Sequence, residues 1–224
     1  MSQQTADNII KIRSVLPDSV KLVAVSKFHP AEVIKEAYGA GQKIFGESRV
    51  QELLAKKESL PSDIEWHFIG HLQTNKVKNI VPFITLIHSG DSERVLAEIN
   101  RCAEKAGRKV NVLLQLHVAQ EETKTGFTPD ELALYMERGD WRAFTSIAIS
   151  GVMGMASFVE DELQIRREFT AIRNVFDELR RRYFQGEDNF SVCSMGMSHD
   201  YRIAVECGST MVRIGTTIFG EREY

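Results

Sequence analysis

The chain has 224 residues, 43% of them apolar and 26% charged, and 28 Lys+Arg against 31 Asp+Glu leave a formal net charge of −3. At roughly 150 residues per domain this is one or two domains large enough to bury a core without metal or disulfide staples, and the balanced charge excludes a broadly basic nucleic-acid binder or an acidic tail. No apolar run approaches the ~18 residues of a membrane span, the N-terminus MSQQTADNIIKIRS has neither the apolar stretch nor the cleavage site of a signal peptide, and three widely spaced cysteines, Cys102, Cys193 and Cys207, fit a reducing, cytoplasmic setting.

Residues 8–16 can form a helix ahead of the first strand. Eight short runs rich in apolar and β-branched residues follow, at 22–26, 43–46, 66–70, 84–88, 110–118, 147–153, 190–195 and 211–215. Most are followed by a stretch of helical period, the signature of βα units and a parallel sheet. Pro30 suits the first turn of the helix carrying Val33, Ile34, Ala37 and Tyr38. Asp91 is the expected N-cap of the helix carrying Val95, Leu96, Ile99 and Ala103. The longest helix spans 160–183, with an apolar stripe of Ile165, Phe169, Ile172, Phe176, Leu179 and Tyr183 facing the strands. Its Arg180, Arg181 and Arg182 read as a solvated helix end that complements the dipole. Eight units in one chain give a single (β/α)8 barrel domain over 1–224, with an open doubly wound sheet as the structural alternative.

In a parallel barrel the chemistry gathers at the carboxyl ends of the strands. Strand one ends in AVSK and places Lys27 there, where partial desolvation would favour the neutral amine that attacks carbonyls to form a Schiff base. The seventh and eighth strands run into SMGMSHD and RIGTTIFG, whose glycines and hydroxyls suit a phosphate. Strands one and eight are neighbours in a closed barrel, so this cup lies beside Lys27. Strand alternation sets Arg213 on the face opposite Val212 and Ile214. There it needs either an ion-pair partner such as Glu206 or a ligand ring nitrogen. A Schiff-base lysine, a phosphate cup and a residue for a pyridine nitrogen together match pyridoxal 5'-phosphate. His67 and His71, four apart in WHFIGH, read as packing or polar residues rather than metal ligands, because the segment crosses Gly70.

The motifs AVSK, FGES followed by RVQE, WHFIGHLQTNK, GVMGM, SMGMS and STMVRIGTTIFGEREY, in this order over 21–224, resemble the YggS/PROSC family of pyridoxal phosphate homeostasis proteins. The resemblance implies a TIM-type barrel like the alanine racemase N-terminal domain and a Schiff base to Lys27. It also implies phosphate contacts from Ser198, Gly215 and Thr216, Arg213 facing the pyridine nitrogen, and Met153 near the cofactor. Ser48 stands where FGEN is usual and takes the place of that amide near the cofactor. Phe28 and His117 replace a usual Thr and Asn. Lys76 and Lys124 match family lysines whose expected role is surface or loop bracing.

An arginine at the pyridine nitrogen leaves the ring a poor electron sink, which disfavours transamination and decarboxylation. Racemisation needs a second base opposite the lysine, supplied in alanine racemases by a second, β-rich domain. Here nine residues follow Gly215, and no such domain is expected. The resulting expectation is a non-catalytic, monomeric, cytoplasmic protein of intracellular pyridoxal phosphate homeostasis, which buffers the cofactor or delivers it to apoenzymes. The alternatives are a low-activity amino-acid racemase and, more remotely, a Schiff-base aldolase using Glu47.

Overall fold

The computed structural model describes residues 2–118 and 125–221. In chain order the elements are α1 (Ser2–Val15), β1 (Lys21–Val25), α2 (Ala31–Gly39), β2 (Ile44–Glu47), α3 (Val50–Ser59), β3 (Glu65–Phe68), α4 (Val77–Ile80), β4 (Leu86–Gly90) and α5 (Glu93–Lys105). They continue with β5 (Val110–Gln115), α6 (Pro129–Arg138), β6 (Ile147–Met153), α7 (Glu162–Tyr183), β7 (Val192–Ser194), α8 (Tyr201–Glu206), β8 (Met211–Ile214) and α9 (Thr216–Phe219). The strands close a barrel in sequence order, every neighbouring pair parallel. Each of the eight runs read from the sequence overlaps a strand, with ends off by one or two residues in several, and the open-sheet alternative falls away. No helix among the described residues is long and apolar enough to cross a membrane.

Strands of such a barrel are buried on both faces and therefore read as nearly continuous apolar runs. Alternation then sorts the side chains. Phe45, Trp66, Phe68, Ile87, Val112, Val152, Val212 and Ile214 face outward and join the helices in the main core. Val23, Leu86, Leu113, Met153 and Met211 form a separate cluster inside the barrel. In α7 the stripe Ile165, Phe169, Ile172, Phe176 and Leu179 is buried as expected, and Asp161 caps the helix by accepting the N–H groups of Leu163 and Gln164. At its other end Arg182 pairs with Glu137 and Glu178.

One cap differs from the sequence reading. Ser92, not Asp91, caps α5, its hydroxyl accepting from Val95 N–H. Asp91 is drawn away instead: its carboxylate lies 2.9 Å from His71 Nδ1 and accepts a hydrogen bond from the Ser92 hydroxyl at 3.0 Å.

Gly151 in β6 has φ +146, beside a register shift between β5 and β6, and a β-carbon there would overlap the Val192 carbonyl on β7. Backbone in a neighbouring strand cannot swing aside. Gly151→Ala is expected to cost on the order of 4 kcal/mol or more, a large part of a domain's stability. The check is a urea titration; a midpoint within error of the parent's would show that the strand crossing gives way.

Candidate functional site

β1 delivers Val25, Ser26 and Lys27 to the carboxyl end of the barrel, and the chain then turns sharply. The turn places Phe28 at φ 68, a left-handed conformation uncommon for a bulky residue. Phe28 N–H donates to Glu52 Oε2 at 2.9 Å, and the Arg49 guanidinium lies 4.6 Å from the ring centroid, both of which help to hold the turn. Behind the turn is a buried polar knot. Glu47 Oε1 accepts from Ser26 Oγ at 2.6 Å and Lys56 Nζ at 2.7 Å, and Lys56 also donates to the Ser26 carbonyl at 2.8 Å. Burial pushes the Glu47 pKa up, while Lys56 and Ser26 oppose that rise. Glu47 thus braces the strand ends from inside the protein. It does not line the cavity beside Lys27, which withdraws it as the acid–base carboxylate of an aldolase.

The β7–α8 and β8–α9 connections supply the opposite wall. Asp200 Oδ1 accepts Met197 N–H at 2.5 Å and shapes the loop that presents Ser198. Ser198 Oγ accepts from Gly215 N–H at 3.2 Å and from Thr217 N–H at 3.5 Å. Two backbone donors therefore converge on one hydroxyl, a cup of neutral donors suited to an anion. Gly215 packs closely here: an added β-carbon would lie 3.1 Å from the Val25 carbonyl oxygen.

Arg213 points into the barrel, as alternation allowed, and is buried. Its Nη1 donates to Ser194 Oγ at 2.6 Å and to the Ser194 carbonyl at 2.9 Å, and its Nη2 to the Gly154 carbonyl at 3.0 Å. The ion pair with Glu206 does not form, because Glu206 lies on the outer surface and pairs with Arg166 at 2.6 Å. Burial lowers the Arg213 pKa to about 10, and the field of Asp200 opposes the drop, so the group stays charged near neutrality.

These groups surround one cavity of about 300 Å³, lined by Val25, Lys27, Ile69, Met155, Phe158, Met197, Ser198, His199, Arg213, Gly215 and Thr216. Of the residues expected from the sequence, Lys27, Ser198, Arg213, Gly215 and Thr216 meet here. Met153 lies in the interior cluster, and Met155, two residues on, takes the wall. Ser48 follows β2 off the wall, its backbone packed against Gly70. His117 follows β5 and pairs its backbone N–H with the Phe127 carbonyl. Lys76 ends the short 3-10 turn Thr74–Lys76 and does not line the cavity, and Lys124 lies outside the described residues.

Composition gave no warning of the β6–α7 loop. Glu168, buried on α7, accepts Ser157 N–H at 2.6 Å and Ser157 Oγ–H at 2.9 Å. This clamp holds Phe158 over the cavity mouth, 79% exposed, where it meets His199 edge-on at 4.8 Å. The one sequence signal was a carboxylate next to Phe169 on the apolar face of a long helix.

Comparison with known proteins agrees with this fold. Residues 2–223 match the family described as alanine racemase, N-terminal domain. The pyridoxal phosphate homeostasis protein of Aquifex aeolicus is 43% identical over 205 residues, covering 91% of this chain and 88% of that protein. The human protein of the same name is 39% identical over 214 residues, covering 91% and 77%. Among solved structures, PipY of Synechococcus elongatus with PLP bound superposes with a TM-score of 0.87 at 37% identity, covering 97% of this chain and all of that one. Alanine racemase of Streptomyces lavendulae shares the fold, with a TM-score of 0.80 at 19% identity, and this chain spans 57% of it.

Proposed function

The chain belongs to the YggS/PROSC family of pyridoxal phosphate homeostasis proteins, on the alanine racemase N-terminal barrel, and from that premise we propose that it binds pyridoxal 5'-phosphate and buffers or delivers it without catalysing a reaction. The observation that carries this reading is the convergence of Lys27, the Ser198–Gly215–Thr216 cup and Arg213 on one 300 Å³ cavity. The chemistry of each wall fits the cofactor: an amine for its aldehyde, hydroxyl and N–H donors for its phosphate, and a guanidinium for its ring nitrogen. When bound, the cofactor supplies an aldehyde that an amine captures covalently and reversibly. The chain's part is to present Lys27 on a braced turn, hold the phosphate with hydroxyl and backbone N–H donors, and keep a positive charge where a catalytic cofactor would take a proton.

The non-catalytic part is supported by its relatives. The match covers 88% of the Aquifex aeolicus homeostasis protein and 77% of the human one, against 57% of the Streptomyces lavendulae alanine racemase. We propose, further, a single barrel acting as a monomer in the cytoplasm, with pyridoxal-phosphate-dependent apoenzymes as recipients. One observation favours the racemase alternative: His199 is a second titratable base on the cavity wall, beside Ser198.

Titration of the purified protein with pyridoxal phosphate is expected to raise a visible band and saturate at one site, with no racemisation of alanine at enzymatic rates. A chain that stays colourless overturns the cofactor reading. Rapid racemisation that is lost in His199→Gln overturns the non-catalytic one. Gly215→Ala, which pushes a methyl against the Val25 carbonyl at the cup, is expected to weaken binding about tenfold, or about 1.4 kcal/mol, with the melting temperature nearly unchanged. Equal affinity by the same titration would take Gly215 out of the phosphate contact.

A further inference from the structure

A line of hydrogen bonds runs through the inside of the barrel. It starts at Arg213 on β8, whose Nη1 donates to Ser194 Oγ on β7 at 2.6 Å. Ser194 Oγ lies 3.2 Å from His88 Nδ1 on β4, and His88 Nε2 lies 3.0 Å from His67 Nδ1 on β3. All four side chains are buried. The upper end forms part of the cofactor cavity. The lower end, His67, lines a second cavity of about 150 Å³ at the opposite mouth, together with Lys21, Glu65, Asn111 and Ser191.

Counting protons leaves one direction for this line. A guanidinium only donates, so Arg213 uses a lone pair of the Ser194 oxygen. The serine proton then needs an acceptor, and His88 Nδ1 is the neighbouring atom that can provide one. If Nδ1 carried a proton, the buried hydroxyl would lack an acceptor among the described residues, a costly arrangement. His88 therefore holds its proton on Nε2 and donates it to His67 Nδ1, which leaves the His67 proton on Nε2. Two protonated rings are opposed as well. Burial, then the charge of Lys21, pushes the His67 pKa down to about 3. Burial, then His67 and Arg213, holds that of His88 well below the ordinary value.

We propose that His88 and His67, both locked as neutral Nε2–H tautomers, are positioning residues for Arg213. Through Ser194 they take the place of a hydrogen-bonded carboxylate, fixing the guanidinium in the cavity with no carboxylate bonded to it. The role rests on the cofactor reading given above. Arg213 makes its hydrogen bonds to two carbonyls and this serine, with no ion pair among the described residues. A serine that donates onward becomes a better acceptor for the guanidinium. A carboxylate would hold Arg213 equally well but cancel its field. The neutral line holds it and leaves that field on the cofactor ring, where it disfavours ring protonation.

The assignment is tested first on cofactor-free protein, by long-range ¹⁵N–¹H correlation of the imidazoles at pH 7. Both rings are expected to show the neutral Nε2–H pattern. An Nδ1–H tautomer or an imidazolium at either residue overturns the proposal, whatever the cofactor does. The positioning role is tested by titrating pyridoxal phosphate into His67→Asn and His67→Leu. Asparagine can set an acceptor where Nδ1 stood, so it is expected to keep the parent's band and affinity. Leucine is expected to shift the band and weaken binding several-fold, on the order of one lost hydrogen bond. Identical behaviour of the two variants makes the histidine a packing residue and overturns the role. A parent protein that binds no pyridoxal phosphate removes the role together with the cofactor reading, while the tautomers are still read from the first experiment.

Discussion

Lys27→Ala is expected to abolish the visible band and leave the cofactor removable by simple dialysis. The covalent link would be lost, while Ser198, Gly215 and Arg213, the proposed contacts to the phosphate and the ring, remain on the cavity wall. Affinity should therefore fall by on the order of 100-fold or more rather than vanish, each tenfold step being about 1.4 kcal/mol. Stability should change by about 1 kcal/mol or less, because Lys27 sits half-buried at a turn whose bracing comes from Ser26, Glu47, Glu52 and Lys56. Absorbance, equilibrium binding and thermal melting separate these effects. A variant that keeps the parent's band places the covalent link on another amine.

Acid is expected to destabilise the cofactor-free fold well above the range in which carboxylates titrate. An unfolded histidine has a pKa near 6.5; the folded value for His67 is about 3, and that for His88 is well below the ordinary one. As pH falls through 6.5 the unfolded chain binds two protons that the folded chain refuses. Stability is therefore full above 6.5 and is lost as pH drops, by about 1.4 kcal/mol per unit for each histidine once the unfolded state is protonated. Glu47 works the other way. Its folded pKa is raised, so above its unfolded value of 4.5 the folded state takes up a proton first and gains stability on acidification. Two histidines outweigh this one carboxyl. Urea midpoints at pH 7.5 and pH 5.5 measure the slope, and His88→Asn should roughly halve it. A midpoint that does not move over this interval would show that both rings charge freely in the folded protein.

Strand parity is a local property, and the sequence carried it well. The placement of Arg213 opposite Val212 and Ile214 and the buried stripe of α7 follow from spacings of two and of three to four residues; which face of β8 turns inward was left to the fold. Where a local rule met a competing partner, it failed. Asp91 has the right chemistry for a cap but is taken by His71, and Ser92 replaces it. Met153, which the resemblance set near the cofactor, joins the interior layer, and Met155, two residues on, lines the cavity. Glu47 was placed beside Lys27 by proximity of the strand ends, yet the ammonium of Lys56 and the hydroxyl of Ser26 hold it inside.

By itself the sequence determined the eight βα units, and with them the end of the barrel where Lys27 and the Gly-, Ser- and Thr-rich loops gather. Both follow from periodicity and from residue types read a few positions at a time. The tertiary structure alone decided which interior side chains touch. His67 and His88 are 21 residues apart, Ser194 is 106 beyond His88, and Arg213 is 19 further on. No spacing rule joins them. They meet because four inward-facing positions on β3, β4, β7 and β8 come to similar depth when the sheet closes, and closure is a property of all eight strands together.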